Sequence, residues 1–90
     1  MGIEAASIKD RRNKLIFRAW HRGTREMDLL LGSFADAYMA GFTESQLDEF
    51  EHLLTCQDPD LYDWKCGRGA PEGEDDNAVM KLFIAHRFAA

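Results

Sequence analysis

Apolar residues recur along this chain every three to four positions, and no stretch alternates strictly between apolar and polar. That spacing belongs to one face of a helix, so the pattern predicts helices and no strands. A first helix is expected to begin with Ser7 as its N-cap and run to about Arg22, with Ile8, Leu15, Ala19 and either Ile16 or Trp20 facing inward. Gly23 then fits the position just past a helix end, where glycine takes a left-handed conformation without a Cβ clash. Thr24 follows as the next cap, with Glu26 in a first turn where a carboxylate favours the helix dipole. The second helix aligns Met27, Leu30, Leu31, Phe34 and Tyr38 in one stripe and is expected to stop at Gly41.

Thr43 and Gln46 form a capping-box pattern opening a third helix through Leu47, Phe50 and Leu54 to about Cys56. Asp58 reads as a cap before Pro59 at the first helical position, so a short fourth helix extends to about Lys65, with Gly67 behind it. Gly67 to Gly73 reads as loop. A fifth helix is expected from about Glu74 to Phe88, with Val79, Leu82, Phe83 and His86 on one face and Met80 and Ile84 beside it. Five helices with short connections make an all-α bundle. Residues 1–90 are expected to form a single domain with an ordered core from about 8 to 88.

Composition narrows the functional classes. With 46% hydrophobic and 30% charged residues the chain is of the soluble globular type. At this length a fold buries roughly 60–65% of the surface its unfolded chain exposes, which leaves little room for a deep active site. The net charge of −5 hides a polarity. Residues 1–25 carry seven basic side chains against two acidic ones, and residues 26–90 carry four against fourteen. Such polarity can orient a protein on a partner, or it can be a solvated basic helix. Cys56 and Cys66 lie ten positions apart, neither a redox pair nor a zinc spacing, and are expected as reduced thiols. No apolar run approaches the ~20 residues of a membrane span, and no signal-peptide core is present. The expected setting is the bacterial cytoplasm, or a chain whose targeting segment has been removed.

Two segments concentrate the remaining chemistry. In Arg22-Gly23-Thr24-Arg25-Glu26-Met27-Asp28, opposite charges crowd a single glycine. A helix junction explains Gly23, Thr24 and Glu26, while Arg22, Arg25 and Asp28 suit a binding corner. Arg22 and Glu26 are four apart and could pair, but an exposed pair is worth only ~0–1 kcal/mol. On that basis, replacing either is expected to leave the melting temperature within a few degrees. The second segment is Asp58-Pro59-Asp60-Leu61-Tyr62-Asp63-Trp64. Tyr62 and Trp64 point roughly 200° apart on a helix, so one ring is expected in the core and the other at the surface. His21, His52 and His86 fall on three different helices without an i, i+4 histidine partner, and no metal is expected. The Gly67–Gly73 stretch lacks the strand and GK[ST] ending of a phosphate loop. No nucleophile or acid–base pair assembles, so an enzyme is not expected. The basic first helix leaves a nucleic-acid-binding helical regulator as the alternative, against an overall acidic chain.

With Arg22-Gly23-Thr24-Arg25-Glu26 matching an RGxxE signature, Asp28 its acidic extension, and Asp58 through Trp64 a later aspartate-proline-aspartate-leucine-aromatic-x-tryptophan run, the chain resembles the succinate dehydrogenase assembly factor family, the SdhE-type FAD assembly or flavinylation factors. The resemblance covers about Ile8 to Phe88. It implies a small antiparallel bundle that binds the flavoprotein subunit of succinate dehydrogenase, and often of fumarate reductase, and promotes covalent attachment of FAD to a histidine of that subunit. It also implies an assembly chaperone, not an enzyme. FAD would belong to the client, since this sequence has no dinucleotide fingerprint of its own. Partner-binding roles carry over to Arg22, Gly23, Glu26 and Asp28, with Arg25, Tyr62 and Trp64 as secondary contacts. The free protein is expected to be a monomer that binds no nucleic acid and inserts in no membrane.

Overall fold

The computed structural model describes residues 2–87, with side chains from Ser7 onward. Five α-helices follow one another: α1 (Gly2–Trp20), α2 (Arg25–Tyr38), α3 (Glu44–Leu54), α4 (Asp58–Lys65) and α5 (Ala78–Ala85). Short 3-10 turns at Met39–Gly41 and Gly73–Asp75 complete the order, and no strand occurs among the described residues. The all-α bundle expected from periodicity is the observed fold.

One core holds it together. Phe34 of α2 lies at its centre, fully buried, with the rings of Tyr38, Phe83, Phe50 and Phe42 at centroid distances of 5.0, 5.5, 5.9 and 6.2 Å. Leu15 and Ala19 of α1, Leu47 and Leu53 of α3, Leu61 of α4 and Val79 and Met80 of α5 close around it. α1 and α2 form an antiparallel hairpin. Trp20 at the end of α1 lies on Gly32, and Arg12, two turns earlier, donates to the Phe42 carbonyl beyond the end of α2 at 2.8 Å. Arg11 straps α1 to α3 through Asp48 at 2.6 Å and Glu51 at 2.8 Å.

The local signals for α2 and α3 are realised atom by atom. Thr24 Oγ1 accepts from Met27 N, and the Thr43–Gln46 capping box makes both of its reciprocal bonds. Gly23 has φ +117°, as a turn glycine should. Tyr62 is exposed while Trp64 packs against the core, the division their spacing required.

Three boundaries differ from expectation. α1 runs through Ser7, because Glu4, Ala5 and Ala6 upstream are good helix formers and carry the helix back to Gly2. Asp58 is the first residue of α4 instead of its cap; Gln57 occupies the cap position without a side-chain bond. The Asp58 carboxylate is taken by Arg22. α5 starts at Ala78, not Glu74: the Asn77 side chain accepts from Met80 N at 2.8 Å, and Glu49 of α3 accepts from Val79 N at 3.1 Å. α5 ends at Ala85, where Lys65 donates to the carbonyls of Phe83, Ile84 and His86. His86 therefore follows the helix, and Phe88 lies outside the described residues.

Candidate partner-binding corner

The two segments singled out in the sequence meet in space. Arg22 leaves the end of α1 and turns its guanidinium into the gap between α3 and α4. There Nη1 donates to the Leu54 carbonyl at 2.6 Å, Nη2 donates to the Cys56 carbonyl at 2.8 Å, and Nε donates to Asp58 Oδ1 at 3.0 Å. Leu54 and Cys56 supply carbonyls that the end of a helix leaves without intrahelical donors. One side chain thus caps α3, neutralises the acidic start of α4 and fixes the angle between them. The Arg22 side chain is only 14% exposed and that of Asp58 31%, so this bridge is far drier than a surface ion pair.

Asp28 braces the same turn from the other side. Its Oδ1 accepts from the backbone N–H of Arg22 at 2.6 Å and of Gly23 at 3.3 Å. With the left-handed φ of Gly23 and the Thr24 cap, these bonds make the four-residue turn from α1 to α2 a rigid joint. A Cβ added at Gly23 would meet no atom within 4 Å, so its outer face is open to close approach.

Glu26 and Arg25 stand apart from this network. Both are exposed, and among the described residues neither side chain has a hydrogen bond or ion pair. The i, i+4 pair with Glu26 is not formed, because Arg22 has turned inward to Asp58. Glu26 instead lines a shallow groove of about 250 Å³ with Thr24, Met27, Asp58, Pro59 and Tyr62. The Glu26 charge, followed by Cys66, pushes the Tyr62 phenol pKa up. The guanidinium of Arg68 lies 5.9 Å from the centre of the Tyr62 ring.

On the far side of the Arg22–Asp58 bridge a larger open groove, about 600 Å³, runs between Phe17, Arg18 and His21 of the α1 end and Gln57 and Pro59. Phe17 is 62% exposed. Its ring stacks on His21 with centroids 3.9 Å apart and planes 18° apart. The Phe17 carbonyl can only accept, so the His21 ring nitrogen 2.7 Å away donates to it and carries the proton on Nδ1.

Of the expected site residues, then, Arg22, Gly23, Glu26 and Asp28 share one corner with Tyr62, and Arg25 lies on its edge. Trp64 turns away into the core. Sequence reasoning missed Asp58 as Arg22's partner and Phe17 as a surface ring. The second had a signal: Phe17 is two positions from inward-facing Leu15, hence on the opposite face of α1.

The fold's ionic pattern bears on the basic α1 face as well. Arg11 and Arg18 reach Asp48 and Glu51 of α3, with Arg18 at 3.8 Å from Glu51, and Arg22 reaches Asp58. Among the described residues no helix is long and apolar enough to cross a membrane.

A family described as "Flavinator of succinate dehydrogenase" matches residues 13–87. The chain is 39% identical over 83 residues to "Succinate dehydrogenase assembly factor 2, mitochondrial" of Dictyostelium discoideum, covering 92% of this chain and 59% of that protein. It is 42% identical over 67 residues to "FAD assembly factor SdhE" of Acetobacter pasteurianus, covering 74% and 62%. With the protein of that name from Legionella pneumophila it shares 41% over 63 residues, 70% of this chain and 78% of the relative. The chain spans about three-fifths of the length of the first two relatives. No solved structure matches it. A match over residues 13–87, which contain the Arg22–Asp58 corner entire, shows that the chain belongs to the flavinator of succinate dehydrogenase family.

Proposed function

We propose that this protein is an assembly factor that binds the flavoprotein subunit of succinate dehydrogenase and promotes covalent attachment of FAD to that subunit. The observation that carries this reading is the composition of the corner within the family-matched segment. A rigid joint built by Arg22, Asp28 and Asp58 presents an uncommitted carboxylate, Glu26, beside the open backbone of Gly23 and the exposed rings of Phe17 and Tyr62. Aromatic anchors around a few directional charges are what a protein partner, not a small substrate, engages.

In this reading the flavin chemistry belongs to the client, and this chain holds the client in a competent conformation. Nor do the groove residues suit a dinucleotide. Arg22, the cation best placed to meet a pyrophosphate, has its donors committed to Leu54, Cys56 and Asp58. Two of the basic residues that motivated a nucleic-acid alternative, Arg11 and Arg18, face acids of α3. Fumarate reductase, whose flavoprotein subunit would present a comparable surface, is proposed as a further client.

Co-expression of the chain with the succinate dehydrogenase flavoprotein subunit of the same organism tests this reading. Covalent flavin is read by in-gel fluorescence of the denatured subunit, and binding by co-purification. The expected result is a stable complex and a several-fold rise in covalent flavin. A flavoprotein that is fully flavinylated without the chain and never co-purifies with it would contradict the reading.

A further inference from the structure

A second cluster lies behind the corner, where the end of α3 meets the Gly73–Asp75 turn. His52 lies in the last turn of α3 and Cys56 two residues past its end, where the chain folds back so that Cys56 Sγ comes 3.9 Å from the His52 carbonyl. Asp75 comes down onto them from the turn. Asp75 Oδ1 is 2.7 Å from His52 Nε2 and 3.5 Å from Cys56 Sγ. The three donor atoms lie within 4.8 Å of one another, and all three residues are half-buried. One imidazole, one thiol and one carboxylate converge from two elements that are 19 residues apart at their nearest members.

We propose that His52, Cys56 and Asp75 form a binding site for a thiophilic divalent cation of the zinc type. Zinc takes nitrogen, sulfur and oxygen ligands at about 2.0–2.3 Å in a tetrahedron, which separates its ligand atoms by about 3.3–3.8 Å. Cys56 and Asp75 already stand at that separation, and His52 and Asp75 need to part by less than the reach of one rotamer adjustment. The donor mixture excludes calcium and magnesium, which take oxygen ligands. Three protein ligands leave a fourth position for water.

The proton balance is simple. The Cys56 thiol loses its proton to solvent as the sulfur–metal bond forms. The His52 proton now facing Asp75 moves to Nδ1, leaving Nε2 free to ligate. Thiolate, carboxylate and dication then sum to zero charge, which suits a half-buried site. The bound ion would pin the 73–75 turn to the end of α3. It would sit one residue's backbone away from the corner, since the Cys56 carbonyl accepts from Arg22.

The test uses the untagged full chain, reduced and freed of metal, titrated with Co²⁺ and then with Zn²⁺ in competition. A thiolate-to-cobalt charge-transfer band, saturating at one ion per chain and displaced by Zn²⁺, is expected. Cys56→Ser should abolish the band, and His52→Gln should weaken Zn²⁺ binding by at least about tenfold. Cys66→Ser, at the other thiol, should leave both unchanged. Wild-type protein without a charge-transfer band would overturn the proposal whatever the variants do. So would a band that survives Cys56→Ser and disappears in Cys66→Ser.

Discussion

The Arg22 guanidinium donates to the Asp58 carboxylate at 3.0 Å across 36 positions of sequence, joining the two segments singled out in the sequence into one structure. The bridge divides the first segment by role: Arg22 and Asp28 build the joint, and Glu26 projects from it. This revises the expectation that Arg22 and Glu26 are equivalent exposed charges. Arg22→Ala removes a largely buried ion pair and leaves the Leu54 and Cys56 carbonyls without their donors, at a cost of about 2–4 kcal/mol. For a domain of this size that lowers the melting temperature by on the order of 10 °C or more. A double-mutant cycle with Asp58→Ala should return a coupling of about 1–3 kcal/mol. Additive effects of the two substitutions would show that the bridge is not energetically formed.

Gly23 separates backbone strain from contact. At φ +117° any L side chain is strained, yet the space around its Cβ is empty. Gly23→Ala should therefore cost about 1 kcal/mol, measured by urea unfolding, and leave a folded protein. Gly23→Arg should also fold but lose client flavinylation, because its side chain fills the approach to the turn. Full flavinylation with Gly23→Arg would move the interface away from this corner.

Gly32 is a packing position of another kind. A Cβ there would fall 2.1 Å from the Trp20 ring, deep in the contact between α1 and α2. Gly32→Ala gains helix propensity of up to ~1 kcal/mol. It is nevertheless expected to destabilise the fold by about 1–3 kcal/mol, since Trp20 must leave its seat. A melting temperature equal to or above wild type would show that the ring can move freely.

His86 gives the fold a pH dependence. Burial, followed by the nearby charge of Lys65, lowers its pKa below the ordinary imidazole value. The unfolded chain's imidazole titrates near ~6.5. Below that pH the unfolded state takes up a proton that the folded state resists, so His86 subtracts stability as pH falls through this range. Above it both states are neutral and the contribution vanishes. Urea unfolding at about pH 5.5 and about pH 7.5 should show a smaller acid loss for His86→Gln than for wild type. Identical losses would assign the acid sensitivity to other groups.

What the sequence made legible was local. The Thr24 cap, the Thr43–Gln46 box, the Gly23 turn and the opposed faces of Tyr62 and Trp64 each depend on neighbours within four residues, and each is observed. Asp58 shows the limit. Aspartate before proline reads as a helix cap, but a guanidinium arriving from 36 residues away binds its carboxylate more strongly than an amide donor would. Ser7 shows another, since a cap-type residue starts a helix only where the residues before it cannot continue one. The four-residue spacing of His52 and Cys56 is visible in the sequence, but it is not a paired-histidine pattern, and no local pattern announces Asp75 as their neighbour.

Covalent flavin in the client, measured in cells carrying Glu26→Ala, tests the central claim most directly. Glu26 is exposed and among the described residues has no partner within the chain, so the substitution should change stability by less than about 0.5 kcal/mol. If the corner grips the flavoprotein, losing this carboxylate should cost about 2–5 kcal/mol of binding, and in-gel flavin fluorescence of the client should fall sharply. Wild-type fluorescence from a Glu26→Ala protein of normal stability and abundance would contradict the account, and leave the corner as nothing more than a joint between helices.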